Sequence, residues 1–279
     1  MTKLGICGRN SDTWPNTDIE AILQMRLGWL KMMSQTDVKA YEQLRAADPN
    51  IKFIVRLYDD RFTRDGHPTP PEFVQRISPT IARLKQFTNI FQVHNEPNHL
   101  ARIEGWGDTC EDAESFTSWF FVTYMMLKSR FPDCLFGFPP LAVPHNDMAW
   151  LEWCKPAIIR ADWLGVHCYW QNPTEMDANH LDEFWGQRFI QYHAKFPDKQ
   201  IYILEAGNSN HQNGYYTDDS RRASEFQQLI EQIERYDYIR SFCPFILSSP
   251  DPTWQPFCWM DEAGRQKEMV RMVRNRQKR

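Results

Sequence analysis

The sequence predicts an α/β fold, a (β/α)8 TIM barrel, from two features of its layout. Strand-like and helix-like segments alternate eight times along the 279 residues, with no linker or low-complexity stretch between them. The connections are also lopsided. Those from helix back to strand are short, such as "AADPN" and "FPDK", whereas most of those from strand to helix are long and rich in Asn, His, Trp and Tyr. A barrel of this class carries its working loops at the C-terminal ends of its strands, the side these long loops would occupy. The length suits one domain over residues 1–279. An open doubly wound sheet would usually begin on a Gly-rich loop, and "GICGRNSD" lacks the GxGxxG pattern.

The strands are expected near 3–8, 27–33, 52–58, 90–95, 135–140, 163–169, 201–206 and 241–247. Several are near-continuous apolar runs, as parallel strands covered on both faces require. Helix signals lie between them. Thr17-x-x-Glu20 and Thr69-Pro70-Pro71-Glu72 read as capping boxes, the second with proline opening the helix. The acids between Asp108 and Glu114 suit a helix start, and Lys128 and Arg130 suit the far end of that helix. Leu181, Trp185, Phe189 and Tyr192 form one apolar helical face; Ala223, Phe226, Ile230 and Ile233 form another. Ser78-Pro79 predicts a kink or break in the third helix.

Composition narrows the function. Hydrophobic residues are 42% and charged residues 24%, enough for a sizeable core and too few charges for a disordered chain. The formal net charge of -4 and the lack of a basic stripe argue against a nucleic-acid partner. The basic tail "RMVRNRQKR" suits the C-terminal end of a last helix. Aromatic residues reach 14%; their faces can stack on sugar rings or simply fill a core. Seven cysteines, an odd number without CxxC or Cys/His metal spacing, predict buried free thiols in a reducing compartment. The N-terminus reads straight into a strand and no run of 18 apolar residues occurs, so a cytoplasmic monomer without membrane contact is expected, or a secreted one if a leader has been trimmed.

The chemistry is carried by two glutamates. The apolar run Ile90, Phe91, Val93 ends in Asn95-Glu96-Pro97, which puts Glu96 at the C-terminal end of strand four. In "QIYILEAGNSN", Ile201, Ile203 and Glu205 share one parity, so Glu205 is expected to point inward at the top of strand seven. Two carboxyls aimed across one cavity are what glycoside hydrolysis needs, one to protonate the leaving oxygen and one to attack or to activate water. Taken singly, each glutamate could equally end its strand in a structural ion pair.

With Asn95-Glu96-Pro97 on strand four and Glu205 on strand seven, the chain resembles glycoside hydrolase clan A, the retaining (β/α)8 glycosidases. The resemblance implies that Glu96 is the acid/base, that Glu205 is the nucleophile and that Asn95 binds a substrate hydroxyl. It also gives "GVHCYW" a meaning, since clan members often place a His and a Tyr on strand six. His167 and Tyr169 become substrate-site candidates, with Tyr169 set to orient Glu205; an aromatic pair capping the barrel is the plainer reading. Clan members commonly carry an Arg on strand two; here that place holds Lys31, and Arg56 on strand three is the candidate to steady the nucleophile. Trp254, in the loop after strand eight, is the candidate sugar platform, with Trp170, Trp259, Trp106 and Tyr216 as competitors.

The remaining motifs exclude more than they suggest. His94 and His99 bracket Glu96 without HExxH spacing or an evident third ligand, so no metal is expected. Neither GxSxG nor a P-loop is present, and no cofactor is implied. Cys168 has strand parity opposite to His167 and Tyr169, so it should face the helices as a structural thiol. The expected function is a retaining glycoside hydrolase acting on a β-linked oligo- or polysaccharide. The alternative is a carbohydrate-binding barrel without catalysis, and a third is a barrel hydrolase or lyase using a metal at His94 or His99.

Overall fold

A computed structural model describes residues 2–62, 66–99, 104–171, 184–209 and 218–276. Its strands are β1 (Gly5–Cys7), β2 (Trp29–Met33), β3 (Lys52–Leu57), β4 (Ile90–Val93), β5 (Leu135–Phe138), β6 (Trp163–Trp170), β7 (Ile201–Asn208) and β8 (Ile239–Phe242). The helices between and after them are α1 (Asn16–Met25), α2 (Val38–Ala47), α3 (Pro70–Leu84), α4 (Cys110–Arg130), α5 (Asp147–Trp153), α6 (Lys155–Arg160), α7 (Phe189–Lys195), α8 (Asp219–Ile233) and α9 (Glu268–Arg276). Every strand pairs in parallel with its sequence neighbour, in the order β1 to β8. The seam between β8 and β1 is closed by a parallel bridge from Leu4 to Phe242 and by backbone bonds from Phe242 N–H to Lys3 and from Leu247 N–H to Cys7. The fold is therefore the eight-stranded barrel that the alternation implied.

Alternation along the strands divides the core in two. Outward residues such as Leu30, Phe53, Phe91, Phe136 and Val166 pack against the helices. Inward residues form a separate plug built on Trp29, Ile54, Ile90, Trp163, Tyr202 and Leu204. Trp163 lies tilted on Tyr202 at 4.7 Å, and Trp29 meets Tyr202 edge-on at 5.6 Å. Gly137 makes room for the plug, because a Cβ there would lie 2.2 Å from Trp163. Above this apolar floor the inward positions become polar: Lys31, Arg56 and Gln92.

Several expectations about elements need correction. Helix α1 begins at Asn16 with Pro15 as its cap and no side-chain capping bond, so Thr17 lies inside the first turn and the Thr17–Glu20 box does not form. Helix α3 runs unbroken through Pro79, and the Ser78 hydroxyl bonds back to the Val74 carbonyl. Strand β8 starts two residues earlier and ends sooner than the apolar run suggested; residues beyond it bond to both flanking strands, from Cys243 N–H to Ile203 and from Phe245 N–H to Ala206 on one side, and from Cys7 N–H to Pro244 on the other. Helix α7 is shorter than the periodic face, with Phe189 and Tyr192 buried, Trp185 in the preceding turn and Leu181 outside the described residues. The Thr69–Glu72 box caps α3 as read, and α4 is capped by Thr109 with Asp112.

No helix of the described residues is long and apolar enough to cross a membrane. All seven cysteines are free, and only Cys110 is exposed. Cys168 sits in the layer between sheet and helices, and burial pushes its thiol up to about 12.

Candidate active site

The two glutamates reach the barrel mouth by departures from regular strand geometry. On β7, Ile201 and Ile203 face the helices, opposite to the expected parity, while Tyr202 and Leu204 face the barrel interior. A bulge corrects this. Val166 on β6 pairs with Ile203, but the next residue, His167, pairs with Glu205, so Leu204 is an extra residue on β7. The bulge reverses the alternation beyond it and turns Glu205 inward. The carbonyl of Leu204 accepts a hydrogen bond from the Cys7 thiol at 2.9 Å. Burial raises the Cys7 pKa well above the usual thiol value, so the donor proton stays on sulfur.

Glu96 is delivered differently. Strand β4 stops at Val93, and His94 and Glu96 both adopt left-handed backbone angles, with φ of 69° and 43°. Such angles cost about 1–3 kcal/mol each in a residue with a side chain and persist only where the surroundings enforce them. Here they are enforced. The buried amide of Gln92 donates to the His94 carbonyl at 2.8 Å and to Asn95 Oδ1 at 2.9 Å. Glu96 N–H donates to the Pro140 carbonyl at 3.0 Å. The His94 ring is turned away from the site, walled by Phe62, Phe116 and Trp119, with Nδ1 accepting from Asn95 N–H. Burial holds its pKa well below the usual imidazole value, so it stays neutral.

The result is a compact cluster. One oxygen each from Glu96 and Glu205 and one ring nitrogen of His167 lie within 4.8 Å of one another. His167 Nδ1 is 2.8 Å from Glu96 Oε1, and its Nε2 is 3.6 Å from Glu205 Oε1. Glu205 accepts from Lys31 Nζ at 2.7 Å on one oxygen and from the Tyr169 hydroxyl at 2.8 Å on the other. Burial alone would raise the Glu205 carboxyl. The electrostatic influence of His167, Lys31 and Arg56, with the Lys31 hydrogen bond, outweighs it and holds the carboxyl well below the usual range. Tyr169 moves the other way, raised by burial and by Glu205, so it remains a hydroxyl donor.

A cavity of about 390 Å3 opens over this cluster, and Glu96, Glu205 and Asn95 line it. With Asn95 Oδ1 bound to Gln92, the amino group of the same amide is left for the cavity. Trp254 lines the cavity, its ring edge-on to Phe245 at 5.3 Å. The competitors sit elsewhere: Trp170 and Trp259 are fully buried, and Trp106 stacks on His67 at 4.0 Å. Tyr216 lies outside the described residues. His167 is fully buried beneath the cavity, between the carboxyls, and does not reach its wall.

Arg56 lines the cavity but binds Glu104, at 2.5 and 2.6 Å, rather than Glu205. The direct contact expected of it is made by Lys31 on β2. The sequence marked Lys31 only as a departure from the clan's arginine, and it gave no sign of Tyr58 or Glu104. An inward Lys at the C-terminal half of a strand is itself a signal, since an unpaired buried ammonium is costly. The spacing of Glu96, His167 and Glu205 could also accommodate a metal ion, although the Lys31 ammonium beside Glu205 already supplies a positive charge there.

No protein-family model and no curated protein matches the sequence. Solved structures do match. The GH39 enzyme from Xanthomonas axonopodis pv. citri aligns with 99% of this chain and 66% of its own, at 15% identity and a TM-score of 0.66. A GH128 (subgroup I) endo-β-1,3-glucanase from Amycolatopsis mediterranei, in complex with laminaritriose, covers 99% of both chains at 13% identity and a TM-score of 0.66. A β-glucuronidase from Faecalibacterium prausnitzii gives 11% identity and a TM-score of 0.67, over 98% of this chain; the chain spans 48% of that enzyme's length. At these identities the likeness establishes a shared barrel fold, the one that the resemblance to clan A implied.

Proposed function

We propose that this barrel is a retaining glycoside hydrolase acting on β-linked sugars by double displacement. The observation that carries the reading is that one oxygen of Glu96 and one of Glu205 come within 4.8 Å of each other at the cavity, an approach that suits the closer of two known carboxyl spacings. Retaining enzymes hold their carboxyls about 5–5.5 Å apart, whereas inverting enzymes leave about 6.5–9.5 Å for a water. The environments of the two groups also suit different roles. Glu205, held ionised by Lys31 and oriented by Tyr169, is the nucleophile. Glu96, with His167 on one oxygen, is the acid.

In the first step Glu205 bonds to the anomeric carbon, the bond to the leaving oxygen breaks, and that oxygen takes the proton of Glu96. In the second, Glu96 as carboxylate removes a proton from water, whose oxygen displaces Glu205. Asn95 donates from its amide to a hydroxyl of the bound sugar, and Trp254 offers an aromatic face. The matched glycoside hydrolases, one of them bound to laminaritriose, support a carbohydrate substrate.

Substitution separates the roles. Glu96→Ala should abolish cleavage of substrates with poor leaving groups but still allow activated aryl glycosides to load Glu205. Azide should then rescue turnover and give a glycosyl azide of retained configuration. Glu205→Ala should slow all leaving groups alike, and azide should give the inverted product. Wild-type rates in both variants, on a substrate that the parent cleaves, would remove the pair from catalysis. Binding of a sugar without turnover of any aryl glycoside would favour the non-catalytic barrel.

A further inference from the structure

Besides its electrostatic effect on Glu205, Arg56 belongs to a second polar cluster in the cavity. Arg56 Nη2 serves both oxygens of Glu104, so the rest of the guanidinium and the spare lone pairs of the carboxylate are not consumed by the pair. The two side chains are 15% and 17% exposed, and both line the cavity. Tyr58, two residues beyond Arg56, is 40% exposed and lines the same cavity, with the Arg56 guanidinium 6.0 Å from its ring centre. An ion pair serving only the fold has no need of an exposed aromatic ring beside it on a cavity wall. An aromatic face next to a donor–acceptor pair is the equipment that binds a sugar ring, whose hydroxyls both donate and accept.

Position gives this cluster its role. Arg56 lies near the end of β3, Tyr58 directly follows that strand, and Glu104 lies in the loop that follows Glu96, so the cluster adjoins the side of the mouth that carries the acid. Trp254 and Phe245 line the cavity from the segment after β8, next to the strand carrying Glu205. The acid meets the oxygen of the departing group, so what lies on its side is the leaving group. We infer that Tyr58, Arg56 and Glu104 form a subsite for a leaving-group sugar, and that the substrate is cleaved between two sugar residues rather than at a non-sugar alcohol. The inference rests on the glycosidase reading above.

A leaving-group subsite also binds acceptors, because the second step can run with a sugar hydroxyl in place of water. The acceptor oxygen bonds to the anomeric carbon, its proton passes to Glu96, and the ester bond to Glu205 breaks to release the carboxylate. The test uses the full-length enzyme and an activated aryl β-glycoside that it cleaves, with cellobiose, laminaribiose or xylobiose added as acceptor. The reading is the ratio of transfer product to hydrolysis product. Wild type should transfer to at least one acceptor. Glu104→Gln and Tyr58→Ala should each lower the ratio, the former by about ten- to a hundredfold, the range expected when a hydrogen bond to a charged group is lost. Tyr58 is an exposed side chain, so its removal leaves the core intact, and continued aryl release shows that each variant is folded. Hydrolysis of the aryl glycoside with no transfer in wild type, or with an unchanged ratio in both variants, overturns the subsite and leaves the glycosidase standing. Failure of wild type to cleave any aryl glycoside overturns both.

Discussion

Lys31 is the charged side chain that bonds Glu205 directly. Its ammonium is almost fully buried and sits 2.7 Å from Glu205. A carboxylate whose folded-state pKa is depressed stabilises the fold at pH above its unfolded value, ~4.3, and that contribution is lost as the pH falls from there toward the folded value. Lys31→Met removes the partner and leaves Glu205 buried without it. The variant should lose about 3–5 kcal/mol of stability at neutral pH, the usual cost of breaking a buried pair from one side. The acidic limb of its pH–kcat/KM profile should move to higher pH, because the group that must be ionised then holds its proton more tightly. Tyr169→Phe removes a hydrogen bond but no charge, so it should lower kcat and move that limb less. Stopped assays from pH 3 to 8 with denaturant titrations check both; an unmoved limb in Lys31→Met would detach the ammonium from the proposed nucleophile.

At the scale of elements, the feature to test is the bulge in β7. The extra residue, Leu204, turns Glu205 from the helix side to the cavity, and its carbonyl is held by the Cys7 thiol on β1. Cys7→Ala should leave that buried carbonyl without the thiol donor and cost about 1–3 kcal/mol, with a fall in kcat as Glu205, the proposed nucleophile, loosens. Cys7→Ser keeps a donor and should recover most of both losses. Equal stability and kcat in the two variants would show that the thiol does not hold the bulge. The turn carrying Glu96 is held in the same manner, by Gln92 from inside β4 and by Pro140 from the loop after β5.

At the scale of the whole molecule, the barrel divides into an apolar floor that carries stability and a polar mouth that carries the candidate chemistry. Trp163 and Tyr202 fill the floor, and Gly137 exists to admit Trp163. Gly137→Ala would place a methyl 2.2 Å from the indole, so it should cost about 1–3 kcal/mol by overpacking. Trp163→Ala should cost about 3–5 kcal/mol by opening a cavity. Thermal unfolding would register both losses. KM at a temperature where the variants remain folded should stay near the parent value, since neither residue lines the cavity.

The sequence by itself determined the barrel, because eight alternating segments with long loops on one side admit few other layouts, and local pattern encodes those segments. It also determined the pair of glutamates worth testing, since a carboxylate directly after an apolar strand is visible in one dimension. Cys168 could be assigned to the helix layer because β6 alternates without interruption. The same logic gave Glu205 an inward direction for the wrong reason: Ile201 and Ile203 face outward, and the added residue of the bulge changes the parity. A bulge has no signature in a period-two pattern, nor do the left-handed angles at His94 and Glu96, which non-glycine residues adopt only when their surroundings compel it. The partner of Glu205 was likewise decided in three dimensions. Lys31 and Arg56 are both inward cations on neighbouring strands; Glu104, 48 residues beyond Arg56, engages the arginine, and the lysine bonds Glu205. Sequence specifies what each segment buries; which charges meet at the mouth is set by distances between strands that only closure of the barrel fixes.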